Sequence, residues 1–229
     1  RIQPIDRHAV VRRHNVTLTS LDANNPLTVG NGEFAFTADA TGLQTFPELF
    51  EQTIPLCTQS QWGWHSFPMP PGMSADQYRY ADYDTHGRSV GYAVDATGQE
   101  TLFHHLRESP HRLHLGRLAL SLRHADGRAA APTDLTDIHQ TLDLWTGLLR
   151  SRFTFAGESV AVETCCAGSR DCVAARVASP LIARGQLTVT LAFPYGSPSV
   201  PAADWSKPEA HTTRVAQAAD YSAEFSRVL

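Results

Sequence analysis

The sequence predicts an all-β protein, a large antiparallel β-sandwich with few or no helices. Three observations carry that expectation. Apolar and polar residues alternate at period two through most of the last two thirds of the chain. Glycine-containing turns separate the alternating runs. No long stretch shows the 3.6-residue period of an amphipathic helix. Alternating runs punctuated by turns are the pattern of a sandwich or barrel, in which each strand buries one face and wets the other.

Along the chain, the first strand signal is "EFAFTAD", with Phe34 and Phe36 pointing inward. It follows Gly30-Asn31-Gly32, a tight turn in which Asn31 tolerates left-handed geometry. Such a turn is either an ordinary corner or a loop whose glycines let the backbone approach a ligand. Residues 67–72 and 194–208 are dense in proline and glycine and are expected to be loops, and residues 74–83 and 133–139 each allow a short helical turn. In "RLALSLRHADGR", Leu118, Leu120 and Leu122 share one face, and Ala125-Asp126-Gly127 supplies a turn. Leu113 and Leu115 alternate out of phase with Leu118, so Gly116-Arg117 is expected to absorb the slip as a bulge.

Residues 140–166 read as three strands joined at Gly147 and Gly157. Leu149, Ser151, Phe153 and Phe155 face one way, Arg150, Arg152 and Thr154 the other, and Val160 and Val162 resume the apolar face. Farther on, Leu187, Val189, Leu191 and Phe193 are expected to form a buried face opposite Thr188 and Thr190.

Composition narrows the function classes. The 229 residues carry a formal net charge of -4, against the basic footprint of a nucleic-acid binder. No apolar run approaches the roughly 18 residues of a membrane helix. Cys57, Cys165, Cys166 and Cys172 lack zinc-ligand spacing and are expected as free buried thiols, with a Cys166 to Cys172 bridge as the alternative. The 11 histidines include no H-E-x-x-H, and no nucleotide-binding glycine fingerprint or nucleophile elbow occurs. No metal and no cofactor is therefore expected. Glu33, Asp39, Glu48, Glu51, Asp82 and Asp84 form no recognisable catalytic pair. The chain opens on Arg1 and closes on a strand-like "YSAEFSRVL". Residues 1–229 are accordingly read as one domain of a longer chain, with export as the expected destination.

The most unusual stretch is "QSQWGWHSFPMPPG", where Trp62, Trp64, His65 and Phe67 crowd six positions. Aromatic side chains on an ordered loop stack on the apolar face of a sugar ring, with polar atoms nearby for its hydroxyls. The same residues also suit a loop pinned onto a sandwich, or a patch for a protein partner.

The run "QTLDLWTGLLRSRFTFAGESVAVET" resembles a signature in the N-terminal domain of glycoside hydrolase family 65, the maltose, trehalose and kojibiose phosphorylases and their hydrolase relatives. The matching positions are Leu142, Asp143, Gly147, Gly157 and Val160. "PLTVGNGEFAFTADATGLQTF" is similar to the glycine-asparagine-glycine strand near the start of such enzymes. With "WGWHSFP" and "SPLIARGQLTVTLAFPYG", the chain looks close to a bacterial group of six-hairpin glycosidases. The resemblance implies a supersandwich like that of galactose mutarotase, followed by an α/α toroid carrying the catalytic glutamate. It implies no catalytic residue in this chain, an oligosaccharide or glycoside as substrate, and the helical toroid as partner. Trp62, Trp64, His65 and Asn31 are then the candidate substrate-facing residues. Two other readings stay open: a free-standing carbohydrate-binding module, and a mutarotase-type epimerase drawing on His65, His104 or His111 with a carboxylate base.

Overall fold

A computed structural model describes residues 4–229. Strands make up 41% of it and helix 12%, so the all-β expectation holds. In chain order the strands are β1 (Val16–Leu18), β2 (Leu27–Gly30), β3 (Phe34–Ala38), β4 (Thr58–Ser60), β5 (Trp64–His65), β6 (Ala81–Thr85), β7 (Arg88–Tyr92), β8 (His111–Arg112), β9 (Arg117–Leu122), β10 (Leu135–Asp143), β11 (Leu148–Phe155), β12 (Glu158–Cys166), β13 (Val173–Ala178), β14 (Leu187–Ala192), β15 (Thr212–Ala219) and β16 (Ser222–Val228). Helices α1 (Arg7–Arg12) and α2 (Glu100–Glu108) complete the regular structure with four single 3₁₀ turns.

The main sheet is a five-stranded antiparallel meander in the order β1-β10-β11-β12-β13. Its inner face carries Leu149, Phe153 and Phe155 from β11 and Val160 and Val162 from β12, all buried. They share one core with Val29, Phe34 and Phe36 of β2 and β3 and with Leu120, Leu122 and Leu187 of β9 and β14. Each such side chain contributes roughly 1.5–3 kcal/mol by leaving water. The two sets of strands therefore form a sandwich-like pair of layers, with the arginines of β11 on the outside.

The corners follow from local chemistry. Ala156 and Gly157 both have positive φ, 51° and 78°, the requirement of a two-residue type I′ hairpin. At the β10–β11 corner the Asp143 carboxylate accepts from the Trp145 amide at 3.1 Å and the Thr146 hydroxyl at 2.9 Å. Gly147 closes that corner with φ 68°. The Trp-Thr-Gly corner is thus a capped turn, and exposed Trp145 meets the ring of His8 edge-on at 5.1 Å.

Residues 39–46 press into the meander from inside. The fully buried Asp39 carboxylate accepts from Thr45 and Phe46 amides, each at 2.8 Å, and from the Thr41 amide and hydroxyl at 2.8 and 2.6 Å. Gln140 donates to the Asp39 carbonyl and to Ser151, each at 2.8 Å, and Thr164 donates to the Gly42 carbonyl at 2.7 Å. A Cβ on Gly42 would stand 2.9 Å from Val162, at a φ of 90°. This irregular segment stays inside because its polar groups find partners there.

Several expectations need correction. Val189 and Leu191 are 52% and 47% exposed, not buried. Alternation correctly puts them in one row with Leu187, but it does not tell whether neighbouring structure covers that row. Leu118 is partly buried and Ala119 is buried, so β9 is not cleanly one-sided. Gly116 takes a φ of 156°, within a break between β8 and β9 rather than in a paired bulge. A registered bulge lies instead in β10, between Thr136 and His139. The left-handed residue after β2 is Gly32, φ 94°, not Asn31. The short helical turn expected in residues 74–83 is present as a 3₁₀ turn at Ala75–Gln77, and the turn at Pro132–Asp134 overlaps the start of 133–139, whose remainder is strand. Helix α2 lies where no helix was expected; it buries only Leu102. All four cysteines are free and partly buried. Among the described residues no helix is long and apolar enough to cross a membrane.

Candidate functional site

The aromatic stretch folds as a short hairpin-like return. After β4 the chain turns at residues 61–63 and enters β5, which pairs with β8 so that Trp64 faces Arg112 and His65 faces His111. Successive strand residues point to opposite faces. Trp64 and Arg112 therefore look outward, and His65 and His111 look in.

On the outer side, Trp62 is 64% and Trp64 48% exposed. Both indoles are nonetheless fixed. Trp64 Nε1 donates to the Gln61 carbonyl at 2.7 Å, and the Arg112 guanidinium lies 4.3 Å from its ring centre. Arg112 is itself anchored by Nη1 donating to the Ser60 carbonyl at 2.9 Å. Trp62 Nε1 donates to the Asp171 carboxylate at 2.7 Å, and the Ser60 hydroxyl donates to the same oxygen. The Ser60 hydroxyl chiefly, then the Trp62 indole and the Asn31 amide, hold the Asp171 carboxyl below its usual range. It is an ionised acceptor at neutral pH.

Asn31 is committed to the framework. Its Oδ1 accepts from the amides of Glu33 and Phe34 at 2.9 and 2.8 Å, and its Nδ2 donates to the carbonyls of Ala167 and Arg170, each at 3.2 Å. It ties the β2–β3 turn to the loop that delivers Asp171. An amide with four partners already satisfied offers little to a ligand.

His65, expected among the sugar-facing residues, is 9% exposed and sits in an aromatic cluster. Phe67 and Tyr195 meet its ring edge-on, each at 5.0 Å. A Cβ on Gly196 would stand 2.5 Å from that ring, so only glycine fits beside it. His111 Nδ1 donates to the Glu108 carbonyl at 2.7 Å, because a carbonyl only accepts. His111 Nε2 shares a hydrogen bond with His65 Nδ1 at 3.2 Å. Burial first, and the His111 charge second, lower the His65 pKa.

The structure thus leaves Trp62 and Trp64 exposed, while His65 is buried and Asn31 is engaged in the framework. Arg112, Asp171 and Tyr195 complete the assembly. No sequence signal pointed to them, because each reaches the loop from 45 or more positions away. A second hollow of about 370 Å³ was equally unannounced: it is lined by Arg117, His114 and Trp205, with the Arg117 guanidinium 4.0 Å from the Trp205 ring centre. His114 is buried, donates to the Leu56 carbonyl at 3.1 Å and accepts from the Gly116 amide at 3.2 Å; burial pulls its pKa down to about 4. Burial pushes the Cys57 and Cys166 thiols up to about 11, so neither is a thiolate nucleophile at neutral pH. A further hollow, of about 620 Å³, is lined by no tryptophan and lies on the outer face of the meander.

No model of a known protein family matches the chain, and no curated protein matches it either.

Proposed function

We propose that this chain is a non-catalytic sandwich domain of a carbohydrate-active enzyme, a glycoside hydrolase or phosphorylase of the family 65 type. In that role it shapes the substrate pocket of a helical toroid that carries the chemistry. The observation that most supports a carbohydrate role is the exposure of Trp62 and Trp64, which we take as a stacking platform. Two half-exposed indoles are held by hydrogen bonds at their N–H ends and leave ring surface to solvent. Holding aromatic rings before the ligand arrives reduces the ordering cost of stacking. Asp171 and Arg112 border the rings and supply an acceptor and a donor for sugar hydroxyls.

The test is calorimetric titration of the chain with neutral oligosaccharides such as maltotriose, alongside a hydrolysis assay. The expected result is binding near millimolar affinity, lost in the Trp62→Ala, Trp64→Ala double variant, with no cleavage. Absence of heat at high oligosaccharide concentration removes the carbohydrate reading. Cleavage at the rate of a complete enzyme removes the non-catalytic one. The same platform suits a free-standing carbohydrate-binding module. Reading the coding frame beyond Leu229 separates the two, since only the first requires a helical domain of several hundred residues.

A further inference from the structure

The outer face of the meander is not an ordinary solvated sheet surface. It holds a hollow of about 620 Å³, lined by His139, Arg150, Arg152, Glu163 and Arg176 over a floor of Ala161 and Ala178. Strand register explains the shape. Thr141, Arg150, Glu163 and Arg176 form one row across β10 to β13, and His139, Arg152, Ala161 and Ala178 form the next. Long side chains rim the hollow and two alanines leave its centre open. The β10 bulge, with Asp137 at φ 53°, re-phases that strand so that His139 stands opposite Arg152.

The charges do not balance. Glu163 lies 3.5 Å from Arg150 and 3.7 Å from Arg176, and one carboxylate serves both. Arg152 makes no ion pair or side-chain hydrogen bond among the described residues. Three guanidinium groups face one carboxylate, in a chain whose net charge is -4. A concave surface lined by one sign of charge concentrates counter-ions of the other. Guanidinium forks match the paired oxygens of carboxylates and phosphates. Residues two apart on a strand, such as Arg150 and Arg152, are roughly 7 Å apart, and Arg176 lies two strands from Arg150, about 9.6 Å, so the three long side chains reach over one basin.

We propose that this basin binds a small ligand bearing at least two oxyanion charges, carboxylate or phosphate, with Arg152 as the principal contact and Arg150 and Arg176 as flanking ones. Glu163 limits its affinity by occupying those two. The site shares no residue with the tryptophan platform, so it stands or falls apart from the carbohydrate reading.

The experiment is titration of the chain with inorganic phosphate, tricarballylate and a galacturonate trimer, with maltotriose as the neutral control. Salt is kept near 10 mM, where screening is weak. At least one anion is expected to bind, and Arg152→Ala to weaken it about tenfold, the worth of one charge-assisted contact. Glu163→Gln is expected to tighten it, because it frees two guanidinium groups; a merely structural role for these residues predicts no gain. Phosphate alone, or the carboxylates alone, identifies the source of the oxyanion. Arg152 is exposed, and far-UV circular dichroism checks that both variants stay folded. No anion binding at low salt, or binding indifferent to both substitutions, overturns the proposal.

Discussion

The meander and the aromatic segment are built on opposite principles. In β11 and β12 the buried residues fall at every second position, and the hairpins close by turn chemistry contained within a few residues. Around β5 and β8 the regular pairing is only two residues per strand, and the chain is held by ties to distant partners: Asp171 for Trp62, Tyr195 for His65, Ala202 for the His114 amide. The first region stores its stability in apolar area. The second stores its geometry in individual polar and aromatic contacts. A substitution in the meander is therefore expected to change how firmly the protein folds, and one in the aromatic segment to change what its surface presents.

The largest effect tests the meander side. Phe153 is 1% exposed at the centre of the shared core. Phe153→Ala is expected to cost about 3–5 kcal/mol in denaturant unfolding, from lost transfer energy and the cavity left behind. A cost below that of an exposed-loop substitution would mean that the two layers are not packed as described.

The next effect comes from the aromatic segment and is read by pH. His114 keeps a pKa near 4 in the folded protein because burial opposes its charge, against an ordinary value of 6.5. Between those values the unfolded chain takes up a proton that the folded chain refuses. Stability is full above about pH 6.5, falls as pH drops through the window, and levels off below about 4. The loss amounts to up to about 3 kcal/mol. Unfolding midpoints measured from pH 7 to 4 should show this slope, and His114→Gln should flatten it.

These contrasts explain what was legible. Alternation identified the buried rows of β11 and β12 because one face of a strand is one chemical environment. Gly147 and Gly157 marked the corners because their φ values exclude most side chains. The same reasoning misjudged Val189 and Leu191, since a row is buried only if another layer covers it. It singled out the crowded tryptophans but assigned His65 to the wrong side. That side is decided by the β5–β8 register, a pairing across 46 positions. It was silent on Arg112, Asp171 and the surplus of arginine in the outer basin, which exist only as juxtapositions across strands.

A smaller effect returns to the local chemistry of the meander. Gly157→Val places a branched side chain at φ 78°, where L-residues are strained. The expected cost is about 1–2 kcal/mol, with the strand register kept. A larger loss, with altered amide exchange along β11 and β12, would mean that the hairpin turn and not the apolar face sets the register.

The smallest expected change in stability is the most informative about function. Asp171 is solvent-accessible, and its carboxylate collects the Ser60 hydroxyl and the Trp62 indole. Removing it as Asp171→Ala should leave the unfolding midpoint close to that of the parent, because no apolar area is lost. It should release the Trp62 ring. The indole N–H resonance of Trp62, assigned by its disappearance in Trp62→Phe, is expected to shift towards the solvent-exposed position and to exchange faster. Oligosaccharide affinity should fall with it, while anion binding at the Arg152 basin stays unchanged. An unmoved indole resonance would mean that Trp62 is held by packing alone, and the division between a region built on area and a region built on single contacts would fail at the contact that defines it best.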